Sequence, residues 1–164
     1  MKIEAQKVYD YLMSLDIDYT LIEHPPVYTC DELAPYMNGV DGSHCKNLLL
    51  RNKKGNRHLL VILEEAKQMN IKEFGKQIGV SNLSFASEER LMKYLGVTAG
   101  AVSLFGLLND SNHEVEVYLD KDVAESQFVN FHPNINTATV HFAAADMHKF
   151  LNALGNAVEI VEIL

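Results

Sequence analysis

Apolar residues recur every three or four positions in several stretches of this chain, the spacing that places them on one face of an α-helix. In residues 2–15 this stripe includes Val8 and Leu12, and charged residues lie off it. Thr29 followed three residues later by Glu32 is a capping box, which predicts a helix start. Helices are predicted over residues 2–15, 30–37, 70–78, 88–95 and 145–154.

Short apolar runs bounded by turn residues predict strands between these helices. The clearest pair is a hairpin of residues 45–52 and 57–64, joined by a turn at 53–56 that contains glycine and asparagine. Residues 96–106 are too rich in glycine for a helix and too apolar for an exposed loop, so a packed loop is expected there. Other strands are predicted over residues 19–23, 83–86, 114–119, 128–131, 137–142 and 158–163.

The strands come in clusters and hairpins, without the steady strand–helix alternation of a parallel sheet. This order predicts an α+β fold with a mixed, largely antiparallel sheet flanked by helices. The sequence contains no internal repeat, linker or low-complexity segment, so residues 1–164 are expected to form a single domain. A chain of 164 residues buries about two thirds of its unfolded surface, enough for a core without disulfides or metal.

The sequence predicts a cytoplasmic protein. Its apolar runs are far shorter than the roughly 20 residues of a membrane helix. The N-terminus becomes polar at once and has no apolar signal core. Cys30 and Cys45 lack Cys-x-x-Cys spacing and are too few for a disulfide scaffold, which fits free thiols in a reducing compartment.

Charge is unevenly distributed along the chain. The net charge is -8, from 14 basic and 22 acidic residues. Residues 1–41 carry 2 basic and 8 acidic side chains, residues 42–108 carry 10 and 5, and residues 109–164 carry 2 and 9. A positive middle third in an acidic protein is a candidate contact surface for a polyanion, and a solvated hairpin edge is the structural alternative.

Common catalytic motifs are absent from the sequence. It contains no phosphate loop, dinucleotide fingerprint, nucleophile elbow or zincin motif. His24, Cys30, His44 and Cys45 do not have the spacing of zinc ligands, so no metal site is expected. Cys45 precedes Lys46 on a predicted strand, where neighbouring side chains point apart, so a structural thiol is favoured over a nucleophile.

Three segments carry a more specific signal, by their order and spacing along the chain. They are His24-Pro25-Pro26-Val27-Tyr28-Thr29, His44-Cys45-Lys46-Asn47-Leu48-Leu49-Leu50-Arg51, and Asn130-Phe131-His132-Pro133-Asn134-Ile135-Asn136-Thr137-Ala138-Thr139. Together they resemble the free-standing prolyl-tRNA editing proteins, relatives of the YbaK proteins and of the insertion domain of bacterial prolyl-tRNA synthetases. Within that family the chain is most similar to the deacylases of Ala-tRNA(Pro).

The resemblance implies hydrolysis of the ester that joins alanine to the terminal adenosine of tRNA(Pro), with no metal, cofactor or covalent enzyme intermediate. It places the two key functional residues at Lys46 and His132. It also places an aminoacyl-binding glycine loop at residues 100–104. Candidate substrate-binding residues are Val27, Tyr28, Thr29, Asn47, Gly100, Ala101, Val102, Ser103, Phe105, Asn136 and Thr137.

Physical reasoning assigns Lys46 to stabilising negative charge, on the 3′-terminal phosphate or nearby oxygens, rather than to general-base catalysis. Alternation along the strand predicts that Asn47 points to the other face, unless a bulge reverses it. His132 precedes proline and is expected in extended or turn geometry, where it either faces a ligand or satisfies loop carbonyls. Asn136 and Thr137 are typical loop residues, and only the resemblance selects them.

The sequence departs from the family at two positions of the glycine loop. Leu104 stands where proline is expected, and Ala99 where a proline often precedes the glycine. Two alternatives therefore stay open: a deacylase of another misacylated tRNA such as Cys-tRNA(Pro), and a non-catalytic tRNA-binding or regulatory module. The sequence also leaves open whether a prolyl-tRNA synthetase or an elongation factor is a partner.

Overall fold

The computed structural model describes residues 3–163. The predicted start of the first helix at Lys2 lies outside the described residues. The helices are α1 (Ile3–Ser14), α2 (Cys30–Leu33), α3 (Ile71–Ile78), α4 (Glu88–Leu95), α5 (Lys121–Ala124) and α6 (Ala144–Leu154). The strands are β1 (Tyr19–Glu23), β2 (Ser43–Arg51), β3 (His58–Glu64), β4 (Ser84–Phe85), β5 (Val115–Asp120), β6 (Phe128–Phe131), β7 (Ala138–Ala143) and β8 (Val158–Val161).

In this part of the chain the strands form an eight-stranded sheet in the order β1-β7-β6-β2-β3-β5-β8, with β4 paired to β2. The pairings β1–β7, β2–β3, β2–β4 and β6–β7 are antiparallel. The pairings β2–β6, β3–β5 and β5–β8 are parallel. The predicted α+β class, with a mixed, largely antiparallel sheet flanked by helices, is confirmed.

Strand β3 lies at the centre of the fold and is buried on both faces. Leu60 and Ile62 belong to the main core, which is completed by α1, α4 and α6. Leu59 and Val61 belong to a smaller core on the opposite face, which α3 covers through Phe74. The period-two alternation of a strand explains this division of one apolar run between two cores.

Local sequence signals explain the helix ends. Thr29 Oγ1 accepts a hydrogen bond from the Glu32 amide at 3.1 Å, which confirms the predicted cap. The Glu32 carboxylate accepts from the Tyr28 amide at 3.4 Å. Gly79 and Gly96 end α3 and α4 with positive φ angles of 75° and 65°, a conformation that glycine adopts without strain.

Two segments differ from the prediction. Residues 96–106 contain 3₁₀ turns at Ala99–Ala101 and in the segment Leu104–Asn109, so the expected packed loop is partly helical. The second half of the predicted helix 30–37 is a 3₁₀ turn, Ala34–Met37. Helix α5 was not predicted, because four residues between two strands are too short to show helical periodicity.

Candidate active site

The candidate site lies at the seam between β2 and β6. These parallel strands pair only through Ser43 with Val129 and His44 with Asn130. Beyond this point the two strands are no longer paired, and residues 45–47 and residues 131–132 line a common cavity. The seam explains why two segments that are 86 residues apart in sequence line one cavity.

The cavity encloses about 190 Å³. Its remaining walls come from residues 27–29 before α2, from α2, from the 3₁₀ turn Ala99–Ala101 with the residue after it, and from one residue each of β7 and the segment after β3. It is lined by Val27, Tyr28, Thr29, Cys30, Leu33, His44, Cys45, Lys46, Asn47, Glu65, Ala99, Gly100, Val102, Asn130, Phe131, His132 and Thr139. The cavity therefore brings together residues from all three of the segments that carry the resemblance.

Lys46 is half-buried and lines the same cavity as Gly100. Its ammonium group donates a hydrogen bond to the carbonyl oxygen of Lys67, in the segment after β3. Since a lysine ammonium has three donor hydrogens, two remain for other oxygens. A cation and a glycine-containing wall segment thus line one cavity.

Asn47 also lines the cavity, although strand alternation predicts that it faces away from Lys46. Its side-chain oxygen is buried and accepts no hydrogen bond from any residue in the range 3–163. Buried polar atoms are nearly always paired, so an orphan acceptor beside a cavity indicates a donor that the chain itself does not supply.

His132 lines the cavity, and its Nδ1 lies 2.8 Å from the carbonyl oxygen of Ala138. Because a carbonyl only accepts, Nδ1 carries the proton and Nε2 is left as an acceptor. Burial lowers the pKa of His132, the nearby His24 lowers it further, and the Ala138 bond opposes both. The imidazole is therefore neutral at pH 7.

Two residues that sequence reasoning did not select support this histidine. His24 Nδ1 lies 3.0 Å from the carbonyl oxygen of Pro25, so its Nε2 accepts from Thr139 Oγ1 at 2.9 Å. Thr139 is buried and also lines the cavity, 3.5 Å from His132 Nδ1. The histidine of the His-Pro-Pro segment was the available signal for this contact.

The two cysteines lie in the cavity wall but are poor nucleophiles. Burial, and next the charge of Glu64, raise the pKa of Cys45 to about 12. Burial and then Glu65 raise the pKa of Cys30, and the charge of Lys46 opposes both. Thiols with raised pKa values stay protonated at neutral pH, which supports a structural role for Cys45.

Gly100 allows the wall to approach Tyr28 closely. A Cβ atom at Gly100 would lie 3.2 Å from Cδ1 of Tyr28, tighter than ordinary contact. The backbone of Val27 is held by Asn136, whose carbonyl oxygen accepts from the Val27 amide at 3.2 Å and whose Nδ2 donates to the Val27 oxygen at 3.1 Å. Asn136 thus positions the wall from behind.

Five predicted binding residues lie outside the cavity lining: Ala101, Ser103, Phe105, Asn136 and Thr137. Phe105 is fully buried in the main core, where its ring contacts Phe131, because the 3₁₀ turn directs it inward. Ser103 is also fully buried, and its hydroxyl accepts from the Phe105 amide at 3.1 Å. Both were predicted to bind substrate, and the structure instead places both in the buried interior, outside the cavity lining.

The positions of the other three residues outside the lining also have structural explanations. Ala101 is buried and lies on a neighbouring small cavity together with Asn136. The carbonyl oxygen of Thr137 accepts from the His24 amide at 3.0 Å, so its visible role is to hold the chain next to that histidine. Leu104, the departure from the family pattern, is fully buried and outside the lining, whereas Ala99 is part of it.

The positive middle third is only partly neutralised. Arg57 pairs with Glu116 at 2.7 Å, and Lys67 pairs with Asp120 at 2.8 Å. A hairpin patch at the far end of β2 and β3 keeps its charge. It consists of Arg51, Lys53, Lys54, Arg90 and Lys93, which form no ion pair with another described residue.

The hairpin patch surrounds the turn between β2 and β3. Arg51 donates to the carbonyl oxygen of Lys53 at 3.0 Å, and Arg90 donates to that of Gly55 at 3.2 Å. Arg90 also donates to Nε2 of His58 at 2.9 Å. Burial, followed by Arg90, lowers the pKa of His58 to about 4, so this ring adds no charge at pH 7.

None of the helices within residues 3–163 is long and apolar enough to cross a membrane. Over the same range, no three His, Cys, Asp or Glu side chains are grouped so that they could hold a metal ion.

Such a cavity, with a cation, a neutral histidine and an orphan amide oxygen on a mixed sheet, is suited to an ester at the end of a polyanion. Residues 24–150 match the family described as the aminoacyl-tRNA editing domain. The chain is 45% identical over 159 residues to the prolyl-tRNA editing protein ProX of Acetoanaerobium sticklandii, with 96% of each chain covered. The chain therefore belongs to the aminoacyl-tRNA editing domain family and is an aminoacyl-tRNA deacylase.

More distant comparisons agree with this assignment. The chain is 35% identical over 149 residues to the prolyl-tRNA synthetase associated domain-containing protein 1 of Mus musculus, with 88% of each chain covered. A solved structure of a candidate trans-editing enzyme for prolyl-tRNA synthetase superposes with a TM-score of 0.74 at 20% identity, covering 99% of this chain and 98% of that one. At that identity the likeness supports the fold alone.

Proposed function

We propose that this chain edits mischarged prolyl-tRNA in trans and that its substrate is Ala-tRNA(Pro), from which it releases alanine and free tRNA. The relative in Acetoanaerobium sticklandii, named as a prolyl-tRNA editing protein, supports the choice of tRNA. The observation that carries the proposal is that Lys46, His132 and Gly100 line one small cavity. We further propose that residues 1–164 act as one editing domain in the cytoplasm.

The reaction needs little chemical activation, because an aminoacyl ester is already reactive. Water attacks the ester carbonyl carbon, the bond to the ribose oxygen breaks, and that oxygen takes up a proton as alanine leaves. The neutral Nε2 of His132 accepts a hydrogen bond from the attacking water and orients it. The ammonium of Lys46 stabilises negative charge, either on the developing oxyanion or on the 3′-terminal phosphate.

The size of the cavity supports alanine as the preferred group. A volume of about 190 Å³ is below the roughly 300–1,000 Å³ of ordinary small-molecule sites. A synthetase pocket that accepts proline cannot strongly reject a smaller residue, because each missing methylene changes binding by only about 1–3 kcal/mol. A second, smaller site solves this problem: it admits alanine and excludes proline by a clash with Val27, Val102 and the Tyr28–Gly100 wall.

Release of labelled alanine from Ala-tRNA(Pro) tests the proposal. Under single-turnover conditions we expect Lys46→Ala to slow deacylation by about 10²–10³-fold, the usual effect of removing an oxyanion donor. A fall in the maximal rate assigns Lys46 to the oxyanion, and a fall in apparent affinity assigns it to the phosphate. Lys121→Ala is the matched control, because Lys121 is exposed on α5 and outside the cavity lining.

Parallel measurements separate the alternatives. Cysteinyl and seryl esters on the same tRNA(Pro) report the aminoacyl preference, and faster cleavage of either would reassign the substrate. Of the two departures from the family pattern, Leu104 lies outside the cavity lining and Ala99 is part of it. Salt-sensitive tRNA binding without release of any amino acid would instead indicate a non-catalytic binding module.

A further inference from the structure

We propose that Glu65 binds the α-ammonium group of the aminoacyl ester, so that the cavity selects esters with a free amine. This inference rests on the proposed function, since it names the part of that substrate which one further residue contacts. It adds a second criterion to side-chain size: the amino group must be present and unblocked.

Glu65 contributes the single acidic side chain among the lining residues of the cavity. It directly follows β3, where its backbone amide donates to the carbonyl oxygen of His44 at 2.8 Å. This bond ties Glu65 to the seam from which Lys46 projects. The backbone of Glu65 is therefore held in place at the wall of the cavity.

No cation of the described chain neutralises this carboxylate. The Lys46 ammonium, which lines the same cavity, donates to the carbonyl oxygen of Lys67 instead. Within residues 3–163 the ion pairs are Arg57–Glu116, Lys67–Asp120, Lys67–Asp122 and Lys76–Glu73. A half-buried carboxylate without a cationic partner is available to a positively charged ligand.

The position of Glu65 relative to Lys46 fits the two ends of an aminoacyl ester. In the antiparallel β2–β3 pair Lys46 lies opposite Leu63, and the Glu65 amide bonds to His44, two residues before Lys46. The carboxylate and the ammonium both line the one cavity. An alanyl ester carries an ammonium on the carbon next to its carbonyl. The ammonium can therefore face Glu65 while the negative charge that develops on the carbonyl oxygen faces Lys46.

An α-amino group has an ordinary pKa of about 7.7–8.0 and is largely cationic at pH 6.5. A charge-assisted hydrogen bond to a carboxylate is about twice as strong as a neutral one. An ester with an acylated amine, such as a peptidyl-tRNA, has no such cation and leaves Glu65 unpaired in the cavity. The subsite would therefore spare tRNAs that carry a growing chain.

Binding of hydrolysis-resistant analogues tests the inference independently of turnover. The probes are 3′-deoxy-3′-alanylamido-adenosine and its lactyl counterpart, in which a hydroxyl replaces the ammonium. At pH 6.5 we expect the wild-type chain to bind the alanyl probe at least about tenfold more tightly. Glu65→Gln should reduce this ratio to about one, and Glu64→Gln should preserve it, because the Glu64 carboxylate contacts Ser43 and lies outside the lining.

Equal binding of both probes by the wild-type chain would overturn the inference. So would an equal loss of affinity for both probes in Glu65→Gln, which would indicate a role in folding or in positioning Lys46. The same variants are then compared on alanyl-tRNA(Pro) and lactyl-tRNA(Pro), where the ratio of cleavage rates should follow the ratio of affinities. Amine selectivity in binding without cleavage would refute the proposed function and leave the ammonium subsite supported.

Discussion

At the scale of single residues, the unpaired side-chain oxygen of Asn47 indicates a contact with the substrate. Its side-chain oxygen is buried at the cavity without a hydrogen-bond donor from the described chain. A buried acceptor without a donor destabilises the folded state by about 1–3 kcal/mol. An unpaired buried acceptor does not stabilise the fold. We therefore infer that its donor is a hydroxyl group or a water molecule of the substrate complex.

We therefore expect Asn47→Ala to lower kcat/KM by at least about tenfold while changing the free energy of unfolding by less than about 1 kcal/mol. Asn156→Ala provides the contrast, because the Asn156 amide donates to Asp110 and to the carbonyl oxygen of Val115, both at 2.9 Å. That variant should lose about 2–3 kcal/mol of stability and keep its activity per folded molecule. Urea unfolding and single-turnover deacylation measure both quantities, and a strongly destabilised Asn47→Ala would contradict the assignment.

At the scale of elements, the geometry of the site depends on the short pairing of β2 with β6. Gly42 directly precedes β2 with a φ of 95°, a conformation that favours glycine. A Cβ atom there would lie 2.5 Å from the carbonyl oxygen of Phe128, at the start of β6. The close approach of two backbones thus fixes the point from which the cleft opens.

This close approach makes Gly42→Ala a severe substitution. We expect it to lower the free energy of unfolding by at least about 3 kcal/mol, because backbone strain and a backbone clash add together. Gly39→Ala is the matched control: its φ is 81°, but apart from its two chain neighbours no described residue has an atom within 4 Å of the added Cβ. That variant should be destabilised by only about 1 kcal/mol. Equal destabilisation of the two variants in thermal or urea unfolding would refute the importance of the seam.

The elements were more predictable than the contacts between them. Helical periodicity, the cap at Thr29 and the β2–β3 hairpin are local signals, and each was confirmed. The β2–β6 pairing joins segments 86 residues apart through two residue pairs, so no local pattern indicates it. Phe105 was named as a candidate substrate-binding residue, because an apolar residue that lines a pocket and one that fills a core look alike in sequence until the 3₁₀ turn sets the direction of the side chain.

At the scale of the whole molecule, the distribution of charge favours one mode of RNA binding. The acidic terminal thirds repel a polyanion, whereas the hairpin patch attracts it. Lys46 and Arg51 are five positions apart on β2, so the cavity and the patch are separated by about 17 Å at 3.3 Å per residue. Because five positions is an odd number, the Lys46 and Arg51 side chains leave β2 on opposite faces. We therefore expect a nucleic acid with its 3′ end in the cavity to meet the patch at the hairpin turn, where Lys53 and Lys54 are exposed.

The hairpin patch should accordingly determine affinity, and the cavity the rate. We expect the double variant Lys53→Glu/Lys54→Glu to raise KM for Ala-tRNA(Pro) at low salt and leave the maximal single-turnover rate unchanged, since both side chains are exposed and outside the lining. The slope of log K against log salt should shrink by roughly 0.7–0.9 for each phosphate that the variant no longer neutralises. Lys121→Glu, a charge reversal on α5, should leave KM and the slope close to those of the wild-type chain. An unchanged salt slope in the double variant would mean that the acceptor stem follows another surface.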